Sequence, residues 1–163
     1  RQSSAAERKR GKNMNKVFQG RVVVPGAVKA EAVVSHGGFN TLASFQKSLL
    51  AKKTEAVCSD QNNPDLYNKV LSGRALCLPQ TIGSTTGGLV IHTAAAMGAA
   101  PAALLFSGPI DSLAAAGAIL ADVWTPHSIP TVDGLGEEFL AYVQDGMTIE
   151  VAADGTVTVS DGK

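Results

Sequence analysis

At 163 residues the chain is long enough for one domain with a proper core and too short for two ordinary ones. Fourteen basic and fourteen acidic side chains cancel, so no net field draws it to nucleic acid or to anionic lipid. No run of eighteen apolar residues is present, which excludes a membrane-spanning helix of ordinary length. Charged residues make up only 17% of the chain, a sparse surface that hints at cover by a partner.

Residues 1–15 read as a basic tail. Arg8, Lys9, Arg10 and Lys12 stand among small polar residues with nothing apolar to bury, so disorder is expected there, upstream of Met14. No hydrophobic leader core is visible, and the expected location is the cytoplasm. Residues 16–163 are expected to form the folded domain.

Arg21–Val24 and Val28–Val34 are β-branched runs either side of Pro25-Gly26, and read as two strands around a turn. In the second run Val28, Ala30, Ala32 and Val34 alternate with Lys29, Glu31 and Val33, the period of a strand with one wet face. The stretch from Thr41 to Lys53 suits a short helix or an irregular excursion. Residues 58–73 are polar and turn-rich, a long loop with one turn of helix near Leu66-Tyr67.

Arg74 to Leu78 is a strand running into Pro79, and a helix is expected from about Thr86 to Met97, closing at Gly98. Ala102 to Phe106 is an apolar strand. Asp111 stands at an N-cap position ahead of a helix over 112–122, whose Ala, Leu and Ile content requires deep burial. Ile129–Val132 reads as a strand and Leu135–Gln144 as an amphipathic helix. Met147–Val151 and Thr156–Val159 read as a hairpin on Asp154-Gly155. Strands, then alternating strands and helices, then a hairpin, suggest a three-layer or barrel-like α/β domain.

The segment Pro79-Gln80-Thr81-Ile82-Gly83-Ser84-Thr85-Thr86-Gly87-Gly88 carries the chemistry. Its glycines permit a tight turn, its hydroxyls donate and accept, and the free N–H groups of the following helix favour an anion. No Lys follows the glycines, so it is not a nucleotide-binding P-loop, and the frame of a nucleophile elbow is missing. A serine or threonine that merely caps the next helix fits equally well, and both readings stay open. His36, His92 and His127 form no ligand or triad pattern. His36, on a glycine-rich break after a strand, is the best placed of them for a site. His92 reads as a packing or surface residue, and Asp111 and Asp133 as caps. Cys77 reads as a small buried hydrophobe, while Cys58, followed by a polar run, stands nearer to a site.

With those residues in view, the chain resembles the small subunit or swivel domain of the aconitase X family, from about Val17 to Val159. The resemblance is carried by Gly20-Arg21-Val22, Ala32-Val33-Val34-Ser35, Gly73-Arg74 leading to Leu78-Pro79, Gly83-Ser84-Thr85-Thr86-Gly87, Ala100-Pro101-Ala102-Ala103 and Ala115-Ala116-Gly117-Ala118-Ile119. It implies a swivelling β/β/α domain that closes over a large catalytic subunit, which holds the iron–sulfur cluster. Family members are hydro-lyases acting on cis-3-hydroxy-L-proline or on mevalonate 5-phosphate.

In the family's Gly-Ser-Ser-Thr-Gly loop the first serine looks like the proton-abstracting base, and that position is Ser84. The implied elimination has Ser84 remove a proton beside a carboxylate while the partner's cluster polarises the leaving hydroxyl. Expected substrate contacts are Gly83, Thr85, Thr86, His36 and Asn40. Only Cys58 is open to a cluster, and no metal ligand is assigned to the chain. Two departures stand out: Thr85 replaces the second serine, and Gly88 replaces the serine that often closes the motif. The segment from Gly38 to Phe45 also differs from the Phe-Trp-Gly-Gly pattern of many relatives. The absence of Lys or Arg near the loop favours a hydroxyproline-type acid over a phosphorylated one. A non-catalytic regulatory or assembly domain, and a stand-alone anion-binding module, are the other readings.

Overall fold

In the computed structural model, residues 15–83 and 86–161 are described; Ser84, Thr85, nearly all of the expected tail (1–14) and the last two residues lie outside the described residues. The chain opens with strand β1 (Lys16–Gln19), a single Gly20, and β2 (Arg21–Val24), then β3 (Val28–Val34). The two runs around Pro25-Gly26 are strands, but they do not pair with each other. β2 runs antiparallel to β8 (Thr131–Asp133). β3 divides its partners: residues 28–31 run antiparallel to β9 (Thr148–Val151), and residues 32–34 run parallel to β5 (Ala75–Leu78).

With β7 (Ala103–Phe106) and β10 (Thr156–Ser160), the strand order is β1-β10-β9-β3-β5-β7-β8-β2. The strands at the two ends of that order are one residue apart in the chain, so the sheet has to curl until its edges meet at Gly20. Full curling also removes the exposed edges that an open sheet would leave. The Gly20 amide donates to the carbonyl of Gly155 at 3.2 Å, tying the joint to the β9–β10 turn. That turn is the expected hairpin, with the Thr156 amide donating to the Asp154 carboxylate.

Side-chain parity along the parallel strands separates two cores. Ala75, Cys77, Ala103 and Leu105 point inward with Val132, Ile149 and Val157. Leu76, Leu78, Leu104 and Phe106 point outward, beneath helices α1 (Thr41–Leu50), α2 (Gly87–Ala96) and α3 (Ser112–Trp124). Helix α4 (Glu137–Tyr142) plugs the inner core, with Phe139 edge-on to Phe18 at 5.3 Å. The same parity explains β3. Lys29 and Glu31 are wet, but Val33 on that face is buried once the helical layer begins, so the expected wet face covers half of the strand.

The long loop 58–73 is irregular and well packed. Its one helical turn forms where the Tyr67 amide donates to Asn63, and Leu66 and Leu71 are fully buried. The buried Asn63 amide donates to Ser35 Oγ at 3.0 Å, pinning the loop to the end of β3. Two expectations are corrected. Asp133 is not a cap: its buried carboxylate takes both fork nitrogens of Arg21, at 2.9 and 2.6 Å, and the Ile110 amide at 2.9 Å. Helix α3 is not deeply buried: only Ala114, Gly117, Ala118 and Ala121 are, and its large side chains face solvent.

Candidate active site

Three successive parallel strands, β3, β5 and β7, each lead through a loop into a helix, so all three loops emerge at one edge of the sheet. Ligand crevices in α/β sheets lie at that edge, outside the carboxyl ends of the strands. Here a two-stranded parallel ribbon, β4 (Phe39–Asn40) and β6 (Thr81–Ile82), ties the first loop to the second, with Asn40 beside Ile82. Phe39 anchors the ribbon, its ring edge-on to Phe45 beneath α1.

Above the ribbon lies a cavity of about 260 Å³. Thr41 contributes the start of α1, Gly87 the start of α2, and Ser112 to Ala114 the start of α3; Thr81, Ile82, Gly83 and Asp111 complete the wall. Helix N-termini present unpaired N–H groups and partial positive charge, so this convergence favours a negative group.

Two of the three termini are already capped. Asn40 Oδ1 accepts from the Ala43 amide at 3.1 Å. Asp111 Oδ1 accepts from Leu113 and Ala114, both at 2.9 Å, and its other oxygen accepts from the Thr81 hydroxyl. Burial works to raise the Asp111 carboxyl, but the Thr81 hydroxyl and the helix amides outweigh it and hold the group below the ordinary carboxylate range. The third terminus, α2, begins differently. Thr86 precedes it with helical backbone angles, and its side chain makes no capping bond to the helix.

Gly83 opens the loop that leads to α2. Its φ is +105°, a region that residues with a Cβ rarely enter, and an added Cβ would sit 3.0 Å from the Asn40 amide nitrogen. Of the expected site residues, the structure places Gly83 in the cavity wall and Asn40 directly against Gly83, with exposed Thr86 on the loop between Gly83 and Gly87. Ser84 and Thr85 are the two residues after Gly83 and lie outside the described residues. His36 is not among the residues lining the cavity. It is exposed, its amide donates to Asp65 at 2.8 Å, and its ring stands 3.4 Å from the same carboxylate.

Asp111 and Thr81 belong to the wall although sequence reading made Asp111 only a cap. The signal was available: a polar cap after β7 shares the sheet edge with the loop after β5.

Both cysteines are buried. Cys58 is buried in the outer core and Cys77 in the inner one, where burial pushes its thiol far up. Among the described residues, no group of three or more His, Cys, Asp or Glu is placed to hold a metal ion. None of the described helices is long and apolar enough to cross a membrane.

A curled sheet with an outer helical layer, presenting an anion-favouring cavity at its strand ends, defines a mixed α/β domain with a candidate ligand site. Residues 17–159 match the aconitase X swivel domain model, and the chain belongs to that family. It is 37% identical over 95 residues to the phosphomevalonate dehydratase small subunit of Methanothermobacter thermautotrophicus, covering 58% of this chain and 66% of that one. It is 34% identical over 119 residues to the cis-3-hydroxy-L-proline dehydratase of Pseudomonas aeruginosa, covering 73% of this chain and 19% of that protein. The crystal structure of Thermococcus kodakaraensis aconitase X in its holo form superposes with a TM-score of 0.73 at 27% identity. That superposition covers 88% of this chain and 98% of that one.

Proposed function

We propose that this chain is the small subunit of an aconitase X-type dehydratase, and that Ser84 is the base that removes a proton beside the carboxylate of a small hydroxy acid. The observation supporting this reading is that Gly83 and Gly87, on either side of the Ser84 loop, both line the cavity where helix N-termini converge. A carboxylate bound at the start of α2 would bring its neighbouring carbon to the loop. A serine hydroxyl is a weak acid, so its alkoxide has to be stabilised, and oriented amides in a cavity closed to water supply that stabilisation. The Ser84 alkoxide takes the proton, the C–H electron pair becomes the new C=C bond, and the C–O bond breaks to release the hydroxyl as hydroxide. In this reading closure of the cavity falls to the large subunit, which also holds the whole iron–sulfur cluster.

The leading substrate is cis-3-hydroxy-L-proline. Among the described residues lining the cavity there is no Lys or Arg to clamp a phosphate, and Asp111 adds a negative charge. The second reading, mevalonate 5-phosphate, is favoured by the similarity to the Methanothermobacter small subunit, and there the large subunit would supply the cations. The experiment is turnover of both acids by the assembled enzyme, with Ser84→Ala beside wild type. A loss of roughly 10²- to 10⁴-fold is expected for removal of a general base. Near-full turnover by the variant would remove Ser84 from the mechanism and favour a regulatory or assembly role.

A further inference from the structure

Helix α3 is built inside out. Its buried face is made of small residues, Ala114, Gly117, Ala118 and Ala121. Its outer face carries the large ones: Ile119, Leu120 and Val123 are 46, 45 and 68% exposed. With Ala116 they follow the i, i+3, i+4, i+7 spacing of a single stripe, and Leu113 and Trp124 flank it. A helix packed on one side and facing water on the other normally places charge outside, and from 112 to 124 the single charged residue is Asp122.

We propose that this outer face of α3 is the surface on which the large catalytic subunit docks, an inference that rests on the small-subunit reading above. The stripe is continuous with the candidate site. Leu113 lines the cavity, and Trp124 lies eleven residues on at nearly the same angle around the helix, about 16 Å away along its axis. A body that closes the cavity from this side therefore lies along the stripe. The face has the chemistry of an interface core, apolar and depleted of charge, with an aromatic anchor at its far end. In the Pseudomonas relative the matching segment is 19% of the protein, so a far larger body accompanies the domain there.

Trp124 is the chain's only tryptophan and is 75% exposed, so its emission reports on this face alone. The test mixes the full chain with the aconitase X-type large chain from the same source, and reads mass by light scattering and emission by fluorescence. Complex formation with a blue shift of Trp124 is expected. A Leu120→Asp/Val123→Asp double variant should lose affinity tenfold or more. Leu50→Asp, at an exposed position at the end of α1, should bind as wild type. Circular dichroism and thermal melts of the free variants separate lost docking from lost folding. An intact complex in the double variant, or unmoved tryptophan emission, overturns the proposal. Self-association of the chain that buries Trp124 and excludes the large chain overturns it in favour of a second copy. A complex that forms through α3 but turns over neither acid leaves the surface standing and removes the dehydratase reading.

Discussion

Gly88 and Gly117 bring the backbones of α2 and α3 into direct contact. A Cβ added at Gly117 would overlap the Gly88 carbonyl oxygen and sit 2.7 Å from its Cα, and one added at Gly88 would overlap the Leu113 carbonyl. This crossing draws the first turns of both helices to the same cavity. It also gives a physical reason for glycine at position 88: the space for a side chain there is filled by α3. Gly117→Ala should therefore destabilise the protein, although alanine is the better helix former by about 1 kcal/mol. The obstruction is backbone and cannot swing aside, which places the cost in the upper part of the overpacking range, about 2–3 kcal/mol. A net loss of about 1–2 kcal/mol, or roughly 2–8 °C in Tm, is the expected result of a denaturation series. A variant as stable as wild type would mean the helices separate freely.

Local elements were legible in the sequence because they rest on local chemistry. Asp111 before α3, Asp154-Gly155 in the hairpin and the β-branched runs of β2 and β3 all formed as expected. Pairing was not legible. That β1 and β2, joined at Gly20, belong to opposite ends of the strand order depends on contacts more than a hundred residues apart, as between Arg21 and Asp133. The burial of α3 was misread for a related reason. Apolar content shows that a face avoids water, but not whether the cover comes from this chain or from another. The candidate site was half legible: the Pro79-to-Gly88 segment, Thr81 included, announced itself by composition, whereas Asp111 joined the cavity wall only through the parallel order of β5 and β7.

The Arg21–Asp133 fork gives a pH dependence with a definite sign. Burial acts to raise the Asp133 carboxyl, but the Arg21 hydrogen bond, the Ile110 amide and the Arg21 charge together hold it below its ordinary value. Its folded-state pKa therefore lies below that of the unfolded chain, near 4. The pair's stabilisation is fully present above about pH 4 and is lost as pH falls through the lower folded-state value. Asp133→Ala should cost about 1–3 kcal/mol at neutral pH, because the Ile110 N–H loses its acceptor. It should also flatten the stability profile on the acid side, whereas Asp133→Asn, able to accept from Ile110, should lose less. Urea midpoints across the acid range check both, and parallel profiles for wild type and Asp133→Ala would rule the fork out as the source.

Gly83 and Asn40 should respond differently to substitution. Gly83→Ala forces a side chain into φ near +105° and toward the Asn40 amide, strain of about 1–3 kcal/mol borne at the cavity wall. Dehydratase turnover is expected to fall by tenfold or more, with a drop in Tm of no more than a few degrees, because Gly83 is exposed and lies outside both cores. Asn40→Ala removes the cap of α1 and should cost about 0.5–2 kcal/mol in stability. Asn40→Asp keeps the cap and separates the two effects: thermal melts report capping, and turnover reports the side chain's contact with Gly83.

Asp111 does two jobs that a pair of substitutions can divide. As a cap its carboxylate serves the Leu113 and Ala114 amides, so Asp111→Ala should cost about 1 kcal/mol. Asp111→Asn retains a good capping side chain and should leave stability within a few tenths of a kcal/mol. What Asn removes is the charge, which the Thr81 hydroxyl and helix amides keep ionised down to acid pH. A fixed negative charge on the cavity wall opposes a phosphorylated substrate more than a zwitterionic one. In the assembled enzyme, Asp111→Asn should therefore lower KM for mevalonate 5-phosphate by roughly 3- to 10-fold, the Coulomb effect of one charge at several ångströms in a partly wet cavity. KM for cis-3-hydroxy-L-proline, whose ring ammonium offsets its carboxylate, should stay level or rise. Equal shifts for both acids would mean that Asp111 faces the helix and not the substrate.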